Sequence, residues 1–462
     1  MERHDPDGHD LDGYDRDGHD LELAEALIDA ARRAGAEAAD VLVVSATSLG
    51  VGVRGGRLEE AERSEGRDLG LRVLMGRRQA CVSGSDIRRA ALGEMAERAV
   101  AMARAAPEDP WCGLAGLDEP GTPADPAALE LADPQHPPAP QALEELALAA
   151  EAAALAVAGV TQVDQASAGW GRDRITLMAT NGFQGSYART SASIGVSAMA
   201  GQGPGRESDH AYEARSFRAD LPDAAWVGER AGRRAVERLG ARKPPSGRFA
   251  VLFDERVAGS LIGHVLAAIN GLAIVRGASW LRDAMGAQVL PAGFEVADDP
   301  LIRRGPASRP FDGEGLAARR NALIADGVLR SWVLDLATAR KLGLASTASA
   351  RRGTGGPPQP GTSNIRVTQG DVGRDALIAR MGTGLVVTGL IGASINPTTG
   401  AYSRGASGLW VEGGEIAHPV NEITIAGSLP EIVRTLIPAD DADPHRAVSV
   451  PSLLVEGLTV GA

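Results

Sequence analysis

The period of apolar and polar positions changes along the chain. Leu23, Leu27, Ala30, Ala31 and Ala34 recur at helical spacing and stop near Gly35, which predicts an amphipathic helix. Residues 41–44 form a continuous apolar run, a buried strand; Val51 and Val53 then alternate up to Gly55-Gly56, a hairpin signal, and the chain returns through Leu58. Leu69, Leu71 and Val73 alternate into Met75-Gly-Arg-Arg78, and Ala80 and Val82 lead out. Ser85 or Asp86 is placed to cap a second helix running to about residue 105. Residues 113–140, rich in proline and acidic residues, read as a linker or long surface loop. Further on, residues 141–157 predict a helix, 160–163 and 174–179 strands, Asn181-Gly182 a hairpin, 187–199 a strand and 201–208 a loop. Trp226, Arg230, Arg233 and Glu237 mark another helix, ending near Gly240. This order echoes residues 41–105 and predicts a pseudo-repeat, with both halves building one α+β domain.

Arg-Lys-Pro-Pro-Ser-Gly at 242–247 is the best domain boundary. The apolar run 249–253, between Gly247 and Asp254, reads as a buried strand, with Asp254 the N-cap of the next element. Val257, Leu261, His264, Leu266 and Ile269 then recur at roughly helical spacing, so His264 lies on or beside a buried helical stripe. Residues 289–290, 294–296 and 321–324 read as strands, Asp326-Gly327 as a hairpin, 335–342 as a short helix and 351–363 as a Gly/Pro loop. The stretch from Met381 to Gly427 reads as strand, Gly-rich loop, strand, tight Glu-Gly-Gly-Glu hairpin and strand. The fold class expected is α+β: an acidic Asp/Gly/His tail over 1–21, expected to be disordered; an N-terminal α/β domain over 22–241, with antiparallel strands and flanking helices; and a C-terminal β-rich domain over 248–462.

Composition narrows the function classes. Hydrophobic residues make up 44% of the 462 positions but aromatics only 3%, so packing relies on Ala and Gly. A net charge of −13 argues against nonspecific nucleic-acid binding, which needs a basic surface. Cys81 and Cys112 lack a C-x-x-C partner and fit a reducing compartment. No leader and no apolar membrane-spanning window are visible, so the cytoplasm is the expected location. The repeated Asp-Gly-His-Asp at 7–10 and 17–20 is a weak metal-binding candidate, but its spacing does not match an EF-hand loop, and a disordered tail is the expected reading.

Several residues are candidates for chemistry. His264 reads either as a hydrogen-bonded helix histidine near the core or as a survivor of a shared active site. The run 402–408, Tyr-Ser-Arg-Gly-Ala-Ser-Gly, is neither a nucleophile elbow nor a P-loop; a structural loop of small residues is expected there, with backbone or partner binding as the alternative. Gly382, Thr383 and Gly384 permit close approach of a neighbouring strand or of an extended peptide. Asp312 and Glu314, near Arg319-Arg320, are expected as exposed loop charges. His418 is expected in a turn, while His136, His210 and His445 fall in polar loops without ligand spacing.

The 249–280 stretch, together with Met381-Gly-Thr-Gly384, Asn396-Pro-Thr-Thr-Gly-Ala-Tyr-Ser-Arg404 and Pro419-Val-Asn-Glu-Ile-Thr-Ile-Ala-Gly427, resembles the TldD/PmbA family over about residues 22–435. The family is described as zinc metalloproteases built from two related subunits. In its catalytic TldD-type subunit the same strand–helix carries His-Glu-x-x-x-His, two zinc ligands around a general base. The matching window here is Gly263-His-Val-Leu-Ala-Ala268, which puts Gly263, His264 and Ala268 at those positions. No His-Glu dipeptide occurs in the chain, and no Cys follows Cys112 to supply the C-terminal ligand that completes the family's metal site. The resemblance therefore implies a PmbA/TldE-type subunit with no catalytic or metal-binding residue of its own. Zinc would sit in a TldD-type partner of a cytoplasmic heterodimer that cleaves unfolded or small peptides. It implies extended-peptide or partner binding near His264, Gly382, Thr383, Gly384, Asn396, Tyr402 and Arg404. An alternative is a non-proteolytic protein that modulates a partner such as DNA gyrase or an RNA-binding regulator. A third reading is a hydrolase acting alone through His264 with Asp254 or Glu255.

Overall fold

The computed structural model describes residues 17–462 apart from 117, 118 and 120. Residues 1–16, most of the expected tail, lie outside the described residues. The first helix, α1 (Asp17–Arg33), begins inside the span expected as tail. Asp20 explains the earlier start: it is fully buried, takes the Arg67 guanidinium at 2.9 Å and accepts from Ser45 Oγ at 2.9 Å.

Three strands follow, β1 (Ala38–Arg54), β2 (Arg57–Met75) and β3 (Arg78–Gly84), then helix α2 (Arg89–Ala105). A second set repeats the plan: helix α3 (Pro140–Leu155), strands β4 (Val160–Ala179), β5 (Gln184–Ala200) and β6 (Glu207–Arg215), and helix α4 (Ala224–Glu237). All six strands form one antiparallel sheet in the order β3-β2-β1-β4-β5-β6, so the two sets meet at the β1–β4 seam. Strand alternation decides what each face does. Val41 and Val43 point under α1 and α2, and Leu49, Val51 and Val53 under α3 and α4, so the four helices cover one face. Leu42 and Leu177 point the other way, against Phe311 of the C-terminal half.

Four expectations here need correction. Residues 160–179 are one strand rather than two, because Gly169 and Gly171 pair in register with Ser193 and Ser191 instead of breaking the ladder. Glu207–Arg215, partly expected as loop, is a strand. The N-cap of α2 is Arg88, without a side-chain cap; Asp86 instead accepts from the Arg88 N–H at 3.0 Å. Residues 289–290 lie outside any strand, and the strand there is Val296–Asp298.

In the C-terminal half, β7 (Gly247–Phe253) leads into helix α5 (Glu255–Ala268). Much later come β8 (Gly384–Ile395), β9 (Ala401–Glu412), β10 (Glu415–Ser428), the short β11 (Ile437–Pro438) and β12 (Leu453–Gly461). They order as β10-β9-β8-β7-β12-β11, and an extra pairing of β10 with β12 closes the sheet on itself. Only β7 and β8 run parallel in it. Its core gathers Phe253, Leu261, Val387, Trp410 and Ile425. The run 402–408 lies inside β9 rather than in a loop, and His418 lies in β10 opposite Trp410 rather than in a turn. Gly408 belongs in the strand because a Cβ there would collide with the Val386 carbonyl. The fold is α+β, as expected. Among the described residues no helix is long and apolar enough to cross a membrane.

Candidate functional site

Helix α5 starts where β7 ends. Asp254 caps it by accepting from the Arg256 N–H at 3.4 Å, and the Glu255 N–H donates to Ser452 Oγ at 3.0 Å. Ala258, Leu261, Ile262, Val265 and Ala268 are its buried stripe. On the remaining surface lie Arg256, Gly259, Ser260, Gly263 and His264, and a Cβ on Gly263 would meet nothing within 4 Å.

His264 is half-buried. Its ring stands edge-on to Tyr402, with centroids 5.8 Å apart at 71°. His264 Nε2, Ser260 Oγ and the Tyr402 hydroxyl are all buried without a hydrogen-bond partner, three orphaned polar atoms on one patch. Each such atom costs roughly 1–3 kcal/mol, so they mark a place kept for something other than packing. Burial, and then the nearby Arg404 charge, lower the His264 pKa. Burial pushes the Tyr402 phenol up to about 12. Both rings are neutral near neutral pH, able to hydrogen-bond a ligand without charge.

The His264–carboxylate pair on which the third reading depends does not form. Nine residues of helix place Glu255 roughly 14 Å along the axis from His264. Asp254 is instead held by Arg374 at 3.0 Å, and Glu255 by Arg230 at 3.2 Å and Arg446 at 3.3 Å.

Of the sequence candidates, His264, Tyr402 and Arg404 come together. Arg404 donates to the Gly392 carbonyl at 2.7 Å, which steadies it on the edge of β8. Asn396 heads the turn between β8 and β9, accepting from the Thr398 and Thr399 N–H groups at 2.9 and 3.0 Å. Gly382, Thr383 and Gly384 sit at the far end of β8, roughly 35 Å away by strand rise. Gly382, with φ of 66°, ends the helix Arg374–Met381. A side chain on Gly384 would strike the Ala250 carbonyl of β7, so a neighbouring strand fills the close approach these glycines allow.

Sequence reasoning missed an arginine-lined concavity. A cavity of about 900 Å³ opens between the β5–β6 edge of the N-terminal sheet and the C-terminal half; its walls include Arg215, Arg234, Arg256 and Arg446. It shares Arg256, Val257, Leu390 and Arg446 with a smaller pocket of about 340 Å³ that reaches Ser260 and Arg404. These arginines come from four separate stretches, so no local motif announces them.

Asp312 and Glu314 are not surface charges. Both are buried: Asp312 accepts from the Glu314, Leu316 and Ala350 N–H groups, and Glu314 accepts from the Leu336 N–H at 2.8 Å. Burial raises both carboxyls, and their mutual repulsion lifts Glu314 further. Backbone donors in a tight turn, rather than solvent, satisfy them. Cys81 and Cys112 are free thiols whose pKa values burial raises. Among the described residues, no group of three or more His, Cys, Asp or Glu is placed to hold a metal ion.

Comparison with known proteins covers nearly the whole chain. Family profiles described as PmbA/TldA metallopeptidase domain 1, central domain and C-terminal domain match residues 39–103, 133–239 and 246–462. The chain is 33% identical over 425 residues to the metalloprotease PmbA of Escherichia coli O157:H7, covering 92% of each. It is 25% identical over 318 residues to a metalloprotease TldD homolog of Haemophilus influenzae, 63% of this chain and 65% of that one. A crystal structure from Bacteroides thetaiotaomicron, described as a proposed modulator of DNA gyrase, superposes with a TM-score of 0.89 at 26% identity, covering 97% of this chain and all of that one. TldE from Thermococcus kodakarensis shares the fold, with a TM-score of 0.83 at 20% identity over 95% of this chain and all of that one. The chain belongs to the PmbA/TldD metallopeptidase family.

Proposed function

We propose that this chain is the accessory, TldE-type subunit of a cytoplasmic zinc metallopeptidase pair, with the zinc and the general base supplied by a TldD-type partner. One observation carries the reading. On α5, where the family resemblance locates the zinc motif, positions 263, 264 and 268 are Gly, His and Ala. A catalytic zinc needs three protein ligands. Here one imidazole stands beside an empty glycine surface and a buried alanine, with Tyr402 as its nearest ring neighbour. That donor set does not fit zinc, so no step of hydrolysis is assigned to this chain's own residues. What remains is a patch of neutral donors and acceptors, Ser260, His264 and Tyr402, beside an arginine-walled cavity.

The substrate class in this reading is an extended peptide. Strand β7 ends at Phe253, level with Val387. Beyond that point β8 has a strand neighbour on one side only among the described residues, and its open edge faces the cavity. An open strand edge recognises backbone rather than sequence, as suits cleavage of unfolded chains.

The test is metal content and peptidase activity of the purified chain, alone and then with a TldD-type subunit. Alone, it is expected to hold no stoichiometric zinc and cleave nothing; in the complex both appear. Tightly bound zinc with cleavage by the chain alone overturns the reading. The rival reading, a non-proteolytic modulator, gains if the effects of this chain survive when the zinc ligands of the sister are removed.

A further inference from the structure

The chain carries a net charge of −13, yet seven arginines and only three carboxylates line the cavity of about 900 Å³. A protein whose overall field repels anions has concentrated guanidiniums in one concavity. At the rim, Arg303 and Arg304 are matched by Glu130 and Asp220. Deeper in, guanidiniums share their carboxylates. Glu255 is approached by Arg230 at 3.2 Å, Arg446 at 3.3 Å and Arg234 at 3.8 Å; Arg230 also meets Glu213 at 2.9 Å and Arg446 also meets Asp443 at 3.5 Å, which leaves Arg234 with only the longest of these contacts. Asp209 serves both Arg256 at 2.8 Å and Arg238 at 3.7 Å. Arg234 shows the consequence: burial, with Arg256 and Arg230 alongside, pushes it down to about 10. Desolvation is the larger cause and the neighbouring guanidiniums add to it, and an arriving anion offsets both.

The same cavity has a second feature that inorganic anions do not need. Thr388, Gly389 and Leu390 form part of its wall, on the stretch of β8 that has no second strand neighbour beyond Val387 among the described residues; there the Thr388 carbonyl already accepts from Arg256 Nε at 3.0 Å, leaving Gly389 and Leu390 to offer backbone groups. Ile391, 68% exposed, extends that edge with an apolar side chain. Backbone groups for an extended chain and guanidiniums for carboxylates thus lie on adjoining walls. At about 900 Å³ the cavity is at the upper end of the range for ligand pockets, large enough for a peptide segment.

We propose that this cavity binds the carboxylates of acidic peptides, either the C-terminal group or Asp and Glu side chains, with the peptide backbone along the open edge of β8. The inference rests on the accessory-subunit reading and deepens it: this chain selects acidic peptides and presents them to the partner. A planar carboxylate matches a guanidinium bidentately, and excess arginines in a partly desolvated wall give such pairs more strength than at an open surface.

The experiment is titration of the full-length chain, alone and at low salt, with a short unstructured acidic peptide, its Asn/Gln counterpart and its C-terminally amidated form. The acidic peptide is expected to bind about tenfold or more tightly than the neutral one, with the preference fading as salt rises. A loss on amidation assigns the terminal carboxylate, and a loss on neutralising the side chains assigns those; either supports the proposal. Arg446→Met and Arg234→Met are expected to weaken acidic-peptide binding about tenfold, while Arg330→Met, on an exposed position outside the cavity, leaves it unchanged. Thermal melting establishes that each variant is folded, and two cavity variants guard against the failure of either. Equal affinity for acidic and neutral peptides, undiminished binding in both folded cavity variants, or inorganic phosphate binding as tightly as the peptide would each overturn it. Because the assay needs neither zinc nor a sister subunit, its failure leaves the accessory-subunit reading to stand or fall separately, on metal content and cleavage.

Discussion

Glu314 is the side chain where local environment most changes ordinary chemistry. Desolvation, then Asp312 and Asp335, raise its pKa well above its ordinary value of 4.5, and the Arg72 charge only partly opposes them. The folded chain therefore keeps a proton here that the unfolded chain releases. Stability from this site is fully present below about pH 4.5 and is lost as pH rises through the folded value. Glu314→Gln keeps an oxygen for the Leu336 N–H and removes the titration. The variant is expected to be more stable than the parent at pH 8 by roughly 1–2 kcal/mol, the gap closing near pH 4. Melting temperatures measured across that range check this; parallel curves for the two proteins would sink it. His264 is a milder case, since burial and Arg404 keep its ring neutral. Its unpartnered Nε2 beside an unpartnered Tyr402 hydroxyl is a feature that core packing alone does not call for.

Among the elements, α3 and α4 show how a chain with 3% aromatics packs. Gly228 of α4 rests on the Ala150 carbonyl of α3, and Gly232 on Ala154, so the helix backbones nearly touch. Gly228→Ala would push a methyl into the Ala150 carbonyl, and a loss of about 1–3 kcal/mol in chemical denaturation is expected despite alanine's better helix propensity. An unchanged or raised midpoint would show that the helices separate freely. The same elements show what the sequence made legible. The helix at 255–268, the helix at 17–33 beyond its first turn, and the hairpins at Gly55-Gly56 and Asp326-Gly327 follow from period and turn chemistry; the helix at 224–237 is marked in the sequence by Trp226, Arg230, Arg233 and Glu237, which lie off its buried face of Ala224, Val227, Gly228, Ala231, Gly232 and Ala235. Strand β6 hid because its inward face is Asp209, Ala211 and Glu213. Those carboxylates are buried against Arg256 and Arg230, partners more than a dozen residues away, so alternation of hydrophobicity is absent where alternation of burial is present. The Gly-rich run in β9 misled for the opposite reason: its glycines answer to crowding by the neighbouring strand, which no single sequence reveals. In the site, His264, Tyr402 and Arg404 were legible through motif resemblance, while the arginine cavity needed the fold to assemble it.

At the scale of the molecule, the two halves are joined by buried charge. Asp40 on β1 accepts from Arg72 on β2 and from Arg352 of the C-terminal half, all three nearly inaccessible to solvent. Burial acts to raise the Asp40 carboxyl, yet the two guanidiniums hold it below its ordinary value. Breaking such a pair from one side leaves a buried charge uncompensated, a cost of about 3–5 kcal/mol. The sheet at the other end of the chain has its own constraint. Strand β12 pairs with β7 on one side and with β10 on the other. Its partner β7 is made about 200 residues earlier, a separation that delays pairing because so long a loop must first close. During synthesis the N-terminal sheet, whose six strands all precede residue 216, has every partner it needs long before the other half does. A nascent chain stopped just before residue 453 is therefore expected to resist protease over residues 17–237 while the remainder is digested, and resistance of both parts at that length would show that the ring of strands closes without its last member. The arginine cavity takes Arg215 and Arg234 from the half made first and Arg256 and Arg446 from the half made last, so the proposed peptide site comes into being only when the later half folds against the earlier one.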